Sequence, residues 1–185
     1  MSYHTKNSQE AIDYFFQSFS LPHAKTYLIA AVKAAERAHV WDSGTPYDLL
    51  YFFENLKALL PIVYDIVKSG NKSKKVILTN PPHTADLTRY DLYCGGFNQY
   101  KPWDYFPRYL GREEYHNPYK ALETFTEAST KQQWFENLQG IQCCALSNNS
   151  LSELGICLEL VSLTELLQKM LEACHLIYVR TTRKP

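Results

Sequence analysis

The pattern Glu-x-x-His occurs three times in this chain: Glu36 with His39, Glu113 with His116, and Glu172 with His175. With twelve Glu and six His in 185 residues, chance supplies about 0.4 such pairs. On a helix, residues three apart share a face, so a carboxylate and an imidazole can ligate one ion. The chemistry implied is metal binding, and Glu36, His39, Glu113, His116, Glu172 and His175 are the candidate ligands. A simpler role competes with it. His39 and His175 fall near expected helix C-termini, where an imidazole complements the dipole and caps carbonyls without any metal.

Helical di-iron carboxylate sites combine two such pairs with a lone Glu from each of two further helices. Glu54, Glu159 and Glu165 are available for the lone positions. The helices carrying Glu36/His39 and Glu172/His175 must then run parallel or be offset. The Glu113/His116 pair would reach the bundle end from a loop.

The aromatic stretch from Lys101 to Tyr119, "KPWDYFPRYLGREEYHNPY", is the second candidate. Trp103, Asp104, Arg108, Arg112, Glu114 and Tyr115 could line a pocket with aromatic walls and polar contacts. Pro102, Pro107 and Pro118 prevent one long helix. The favoured reading is structural: aromatic area ties an irregular wrap onto the rest of the protein.

Other chemistries find less support. Cys94 precedes Gly95-Gly96, and His83 or His116 could approach it, but a Gly pair after Cys is mainly a turn signal. Cys143 and Cys144 read as two buried thiols on a helix. The five Cys form no C-x-x-C pair, so reduced, mostly buried thiols are expected. Neither a P-loop nor a G-x-G-x-x-G fingerprint occurs. Only three residues separate Arg112 from His116, too few for the Arg-His pair of a HEPN-type ribonuclease. Two basic clusters, Lys68/Lys72/Lys74/Lys75 and Arg180/Arg183/Lys184, would make a phosphate patch if they met. Nineteen basic against nineteen acidic residues give zero net charge, so no global field draws in nucleic acid.

These residues need a scaffold, and the hydrophobic spacing supplies a helical one. Asn7 and Glu10 resemble a capping box before Ile12, Phe15, Phe16 and Phe19, with Leu21-Pro22 ending that helix. A second helix runs from about His23 to Trp41, its alanines permitting close neighbours. Thr45 caps a third, with Pro46 at its first position and Asp48 at the positive end of the dipole. Pro61 lies inside this third helix, where a kink or break is expected. From Gly70 to about Trp103 the helical pattern stops, with "VILT" one short strand at most. Asn117-Pro118, Thr130 to Gln133 and Ser150 to Glu153 open three further helices, the last the longest, with Leu154, Leu158, Val161, Leu163, Leu167 and Cys174 on its stripe. Phe16, Leu28, Phe53, Leu56, Leu60, Leu138, Leu158 and Leu167 are the expected core.

The fold class is therefore all-α: one domain over 1–185, a bundle of five to seven helices with an irregular segment at about 70–103 and a basic tail at 180–185. No signal peptide and no apolar run of membrane length is legible, so a cytoplasmic protein is expected. The leading function is a helical module that binds a protein partner or a second copy of itself, without catalysis and without a cofactor. The alternatives are a metal-dependent helical enzyme built on the Glu-x-x-His pairs and a nucleic-acid-associated helical protein.

Overall fold

A computed structural model of the chain describes residues 8–37, 39–70, 72–78, 89–94, 100–153 and 159–182. The expectations placed on Asn7, Thr79, His83, Leu154, Cys157, Leu158, Arg183 and Lys184 lie outside the described residues.

The described residues form seven α-helices and no strand: α1 (Ser8–Ser18), α2 (Leu21–Arg37), α3 (Pro46–Ser69), α4 (Arg112–His116), α5 (Pro118–Ala128), α6 (Lys131–Ala145) and α7 (Leu160–Thr182). None is long and apolar enough to cross a membrane, among the described residues. Phe16, Leu28, Phe53, Leu56, Leu60, Leu138 and Leu167 are all buried, as their spacing predicts.

The helix starts follow local chemistry. The Thr45 hydroxyl accepts from the Asp48 amide at 3.3 Å, and the Asp48 carboxylate accepts from the Thr45 amide at 2.9 Å. The Thr130 hydroxyl accepts from the Gln133 amide at 3.2 Å and opens α6. Pro22 behaves differently from the expectation. It does not end α1 but sits in the first turn of α2, where a missing N–H costs no helical bond. The preceding Ser20 accepts from the amides of His23 and Ala24. Helix α2 stops at Arg37, short of Trp41, whose amide donates to the Ala145 carbonyl at 2.8 Å.

Pro61 does not break α3, whose 24 residues run unbroken from Pro46 to Ser69. Burial of Leu56, Leu59, Leu60 and Val63 on both sides of the proline holds the turn that lost its amide donor. Gly70 closes the helix at φ 62°, a left-handed conformation that favours glycine. Asn117 occupies the cap position of α5 but makes no side-chain capping bond. Ser150 and Glu153 do exchange the two bonds of a capping box, at 2.6 and 3.3 Å, but residues 151–153 form a turn rather than the start of the expected helix, and α7 begins at Leu160 after the non-helical Glu159.

Helix α7 packs against α1, α2, α4 and α5, while α6 packs on α2 and α3. Every residue of α7 from Met170 to Ile177 is buried, the mark of a helix enclosed on all sides rather than one with a single apolar stripe. Ala24, Ala31, Ala34 and Ala35 of α2 are fully buried, which lets that helix approach α6 and α7 closely. Between 70 and 103 the described chain holds no α-helix, only a 3-10 turn at Tyr90–Leu92, with another following at Pro102–Tyr105. Val76, Ile77 and Leu78 are not a strand; the Leu78 amide donates to the His116 carbonyl at 3.0 Å.

Candidate functional site

The six Glu-x-x-His residues go to three environments. Glu36 and His39 are exposed at and beyond the end of α2. Glu113 is exposed on α4 and pairs with Lys120 at 2.7 Å, a bond that holds its carboxyl below the usual carboxylate range. His116 is half-buried beside the Tyr115 ring, and α4 is a short helix where a loop was expected. Glu172 and His175 lie in the interior of α7, not near its end. His175 meets Phe16 edge-on, with centroids 5.0 Å apart, and stacks on Tyr105 at 5.7 Å. Among the described residues, no three His, Cys, Asp or Glu side chains gather in a way that could hold a metal ion.

Glu172 has a different use. Its side chain is fully buried. Oε1 accepts from Lys25 Nζ at 2.5 Å and from the Arg108 amide at 2.9 Å. Oε2 accepts from the amides of Tyr109 at 2.8 Å and Leu110 at 3.3 Å. Three consecutive backbone donors of an irregular segment thus converge on one carboxylate, and Lys25 supplies the counter-charge while lying 5.1 Å above the Tyr109 ring. Two turns further along α7, Arg180 does the converse. It is 8% exposed and donates to the carbonyls of Val76 at 3.0 Å, Tyr115 at 2.9 Å and Leu92 at 3.3 Å. Burial pulls Arg180 below its ordinary range, opposed by the electrostatic and hydrogen-bonding influence of the Tyr115 side chain, and the guanidinium also lies 4.9 Å above the Tyr115 ring. Arg180 is therefore no part of a solvated basic tail.

The residues expected to line an aromatic pocket differ in exposure and in the contacts they make. Trp103 is 60% exposed and stacks on Phe106 at 5.1 Å. Asp104 accepts from the Lys101 amide, and Glu114 from the Gly111 amide, each closing its own turn. Arg108 and Arg112 are exposed, and Tyr115 is buried against Arg180. The segment behaves as a wrap, clasped to α7 by Glu172 and Arg180.

A groove does open beside it, between α2 and α7, with a volume of 270 Å³. Helix α2 contributes Ile29, Val32, Lys33 and Glu36; α7 contributes Leu160, Val161, Thr164, Glu165 and Gln168; Tyr109 comes from the wrap. Val161, expected on the buried stripe, is 79% exposed. Gln168 is 2% exposed, and among the described residues its Oε1 has no hydrogen-bond partner; nor has the buried Oγ1 of Thr164 one turn earlier. Thr164 and Gln168 were missed in the sequence, although two uncharged polar residues four apart in a leucine-rich helix are a visible interruption of its stripe.

A second surface lies on α1 and α3. Tyr47 is 72% exposed, Tyr14 48% and Leu50 39%. The rings of Tyr47 and Tyr51, four residues apart, are nearly parallel at 7° with centroids 6.3 Å apart. The Tyr51 hydroxyl lies 3.5 Å from both the Tyr14 and Ser18 hydroxyls. Those contacts push Tyr51 below the ordinary phenol range and Tyr14 above it.

Among the described cysteines, Cys94, Cys144 and Cys174 are buried and Cys143 is exposed, so the adjacent pair is split between core and solvent. Burial pushes the Cys174 thiol up to about 12, and Cys144 upward by the same cause. The nucleophile is the thiolate, on the order of one part in 10⁴ of Cys174 at pH 8. Ellman's reagent at pH 8 should therefore modify Cys143 in the folded protein and reach Cys144 and Cys174 only after denaturation. Peptide mapping that found Cys174 labelled as fast as Cys143 would contradict this burial pattern.

Comparison of the chain with protein-family models, curated proteins and solved structures gives no match.

Proposed function

We propose that this protein is a non-catalytic helical module that associates with a second copy of itself through the tyrosine face of α1 and α3. The observation that carries the reading is the cluster of exposed Tyr14, Tyr47 and Leu50 around the half-buried Tyr51, four residues with no formal charge of their own. Interface cores are enriched in Tyr and depleted of charged residues. A phenol hydroxyl both donates and accepts, so the face is complementary to itself, as a two-fold contact requires. Zero net charge removes the Coulomb repulsion between copies. Glu172 and Arg180, two deeply buried ionised groups, are engaged by backbone amides and carbonyls, which supports a structural rather than a catalytic use of them.

A tyrosine buries roughly 150–250 Å², so three of them and a leucine approach the ~800 Å² per partner of a standard interface only with help from their surroundings. Association in the micromolar range is expected. Sedimentation equilibrium from about 1 to 200 μM should show a monomer–dimer equilibrium. Tyr47→Arg places two like charges face to face at an exposed position and should weaken the dimer at least ~10-fold. A monomer throughout that range, or a dimer indifferent to Tyr47→Arg, would overturn the reading.

A further inference from the structure

We propose that Lys57 is a self-acylation site: the exposed thiol of Cys143 takes a short acyl group from a small-molecule thioester and passes it to the Lys57 amine across the junction of α3 and α6. The transfer is made once, onto the chain itself, and does not depend on self-association.

Two nucleophiles from different helices meet here through one side chain. Lys57 belongs to α3, while Gln139 and Cys143 lie one turn apart on α6. The Gln139 side-chain oxygen accepts from Lys57 Nζ, and its NH₂ donates to Cys143 Sγ at 3.3 Å. Amine and thiol are thus a single amide group apart. Lys57 Nζ also donates to Gln142 Oε1 at 2.6 Å, so both of these acceptors are neutral amides. A neutral acceptor holds an ammonium less firmly than a carboxylate does. Burial pulls Lys57 below the ordinary lysine range, opposed by the nearby Cys143 and Glu54. More of Lys57 is therefore free amine near neutral pH than of an exposed lysine. Cys143 is exposed and Lys57 half-buried, so a carrier meets the thiol first. Its neighbour Cys144 is buried and takes no part.

In the first step Cys143 Sγ, as thiolate, attacks the carbonyl of the thioester. A carbon–sulfur bond forms to Cys143, the one to the carrier breaks, and the carrier leaves as its thiol with a proton from solvent. In the second step the Lys57 lone pair attacks the same carbonyl, the bond to Cys143 breaks, and the amine proton returns the sulfur to a thiol. One thioester is exchanged for another and then for an amide, which neither thiol can reverse. An acyl-Lys57 carries no charge and gives up its ammonium bonds to Gln139 and Gln142.

Acetyl-coenzyme A is the probe, added to the full chain at about pH 8, where thiols are partly ionised. Peptide mapping follows Lys57 against exposed Lys131, which opens α6 and lies about 18 Å along its axis from Cys143. Lys57 should be acetylated at least ~10-fold faster than Lys131, because delivery from Cys143 is intramolecular. Cys143→Ala, at an exposed position, should remove at least ~10-fold of the Lys57 rate and leave Lys131 unchanged. That variant separates delivery by the thiol from the amine's own reactivity. Lys57→Arg should strand the acetyl group on Cys143 as a thioester that hydroxylamine cleaves. Lys57 acetylated no faster than Lys131, a Lys57 rate untouched by Cys143→Ala, or no more thioester in Lys57→Arg than in the parent would each overturn the proposal.

Discussion

Replacing Glu172 by Ala should destabilise the protein by about 3–5 kcal/mol, the usual cost of removing one partner from a buried, hydrogen-bonded charge pair. At about 2–4 °C per kcal/mol for a chain of this size, the melting temperature should fall by roughly 6–20 °C. The cost comes from what is left behind. The amides of Arg108, Tyr109 and Leu110 and the ammonium of Lys25 would all lose their acceptor together. Glu172→Gln keeps the shape and one acceptor oxygen, so it should cost less than Ala. Its NH₂ faces donors rather than acceptors, so it should still cost more than about 1 kcal/mol. Lys25→Met should be the mildest, because the carboxylate keeps its three amides and the Lys25 side chain retains a 12% path to water. Thermal melts of the three variants give the order. Hydrogen exchange supplies the local signature: the Tyr109 amide should lose protection in Glu172→Ala before the core helices do. An Ala variant within 1 kcal/mol of the parent would mean that the wrap is held by its aromatics alone.

The helical scaffold was legible in the sequence wherever one residue's local chemistry sets a boundary. Thr45-Pro46 with Asp48, Thr130 with Gln133, and Gly70 mark real helix ends because a cap needs only its own neighbours. Pro22 was misread for the same local reason. Proline suits both the first turn of a helix and the chain just after one, and only the Ser20 cap separates the two cases. The clasps were illegible. Glu172 and Arg180 bond to the backbone of residues 108–110 and of 76, 92 and 115, and periodicity records nothing about backbone partners distant in sequence. Glu172 could be seen as one half of a Glu-x-x-His pair, since spacing within a helix is visible. Which face that pair presents to its neighbours is decided by tertiary packing. The groove shares this limit. The Thr164/Gln168 spacing is in the sequence, but Ile29, Val32 and Tyr109 come from other elements.

Arg180→Ala should cost as much as Glu172→Ala, about 3–5 kcal/mol, by releasing three carbonyls that a single guanidinium holds. The planar fork matters as well as the charge. Arg180→Lys keeps the cation but presents one compact head that cannot reach carbonyls of Val76, Leu92 and Tyr115 in the same geometry. Lys should therefore rescue less than half of the loss. Arg180→Met removes both the hydrogen bonds and the desolvation cost of a buried cation, so it should fall between Lys and Ala or match Lys. The two clasps lie eight residues apart on α7, about 12 Å along the axis, and they hold different stretches of chain. Mutations at that distance without shared partners add to within about 0.5 kcal/mol. Chemical denaturation of Glu172→Gln, Arg180→Lys and the double variant measures that sum. A coupling beyond about 1 kcal/mol would show that the wrap detaches as one cooperative unit. Additivity would establish two independent attachments, each fixing its own part of the irregular chain to the buried helix.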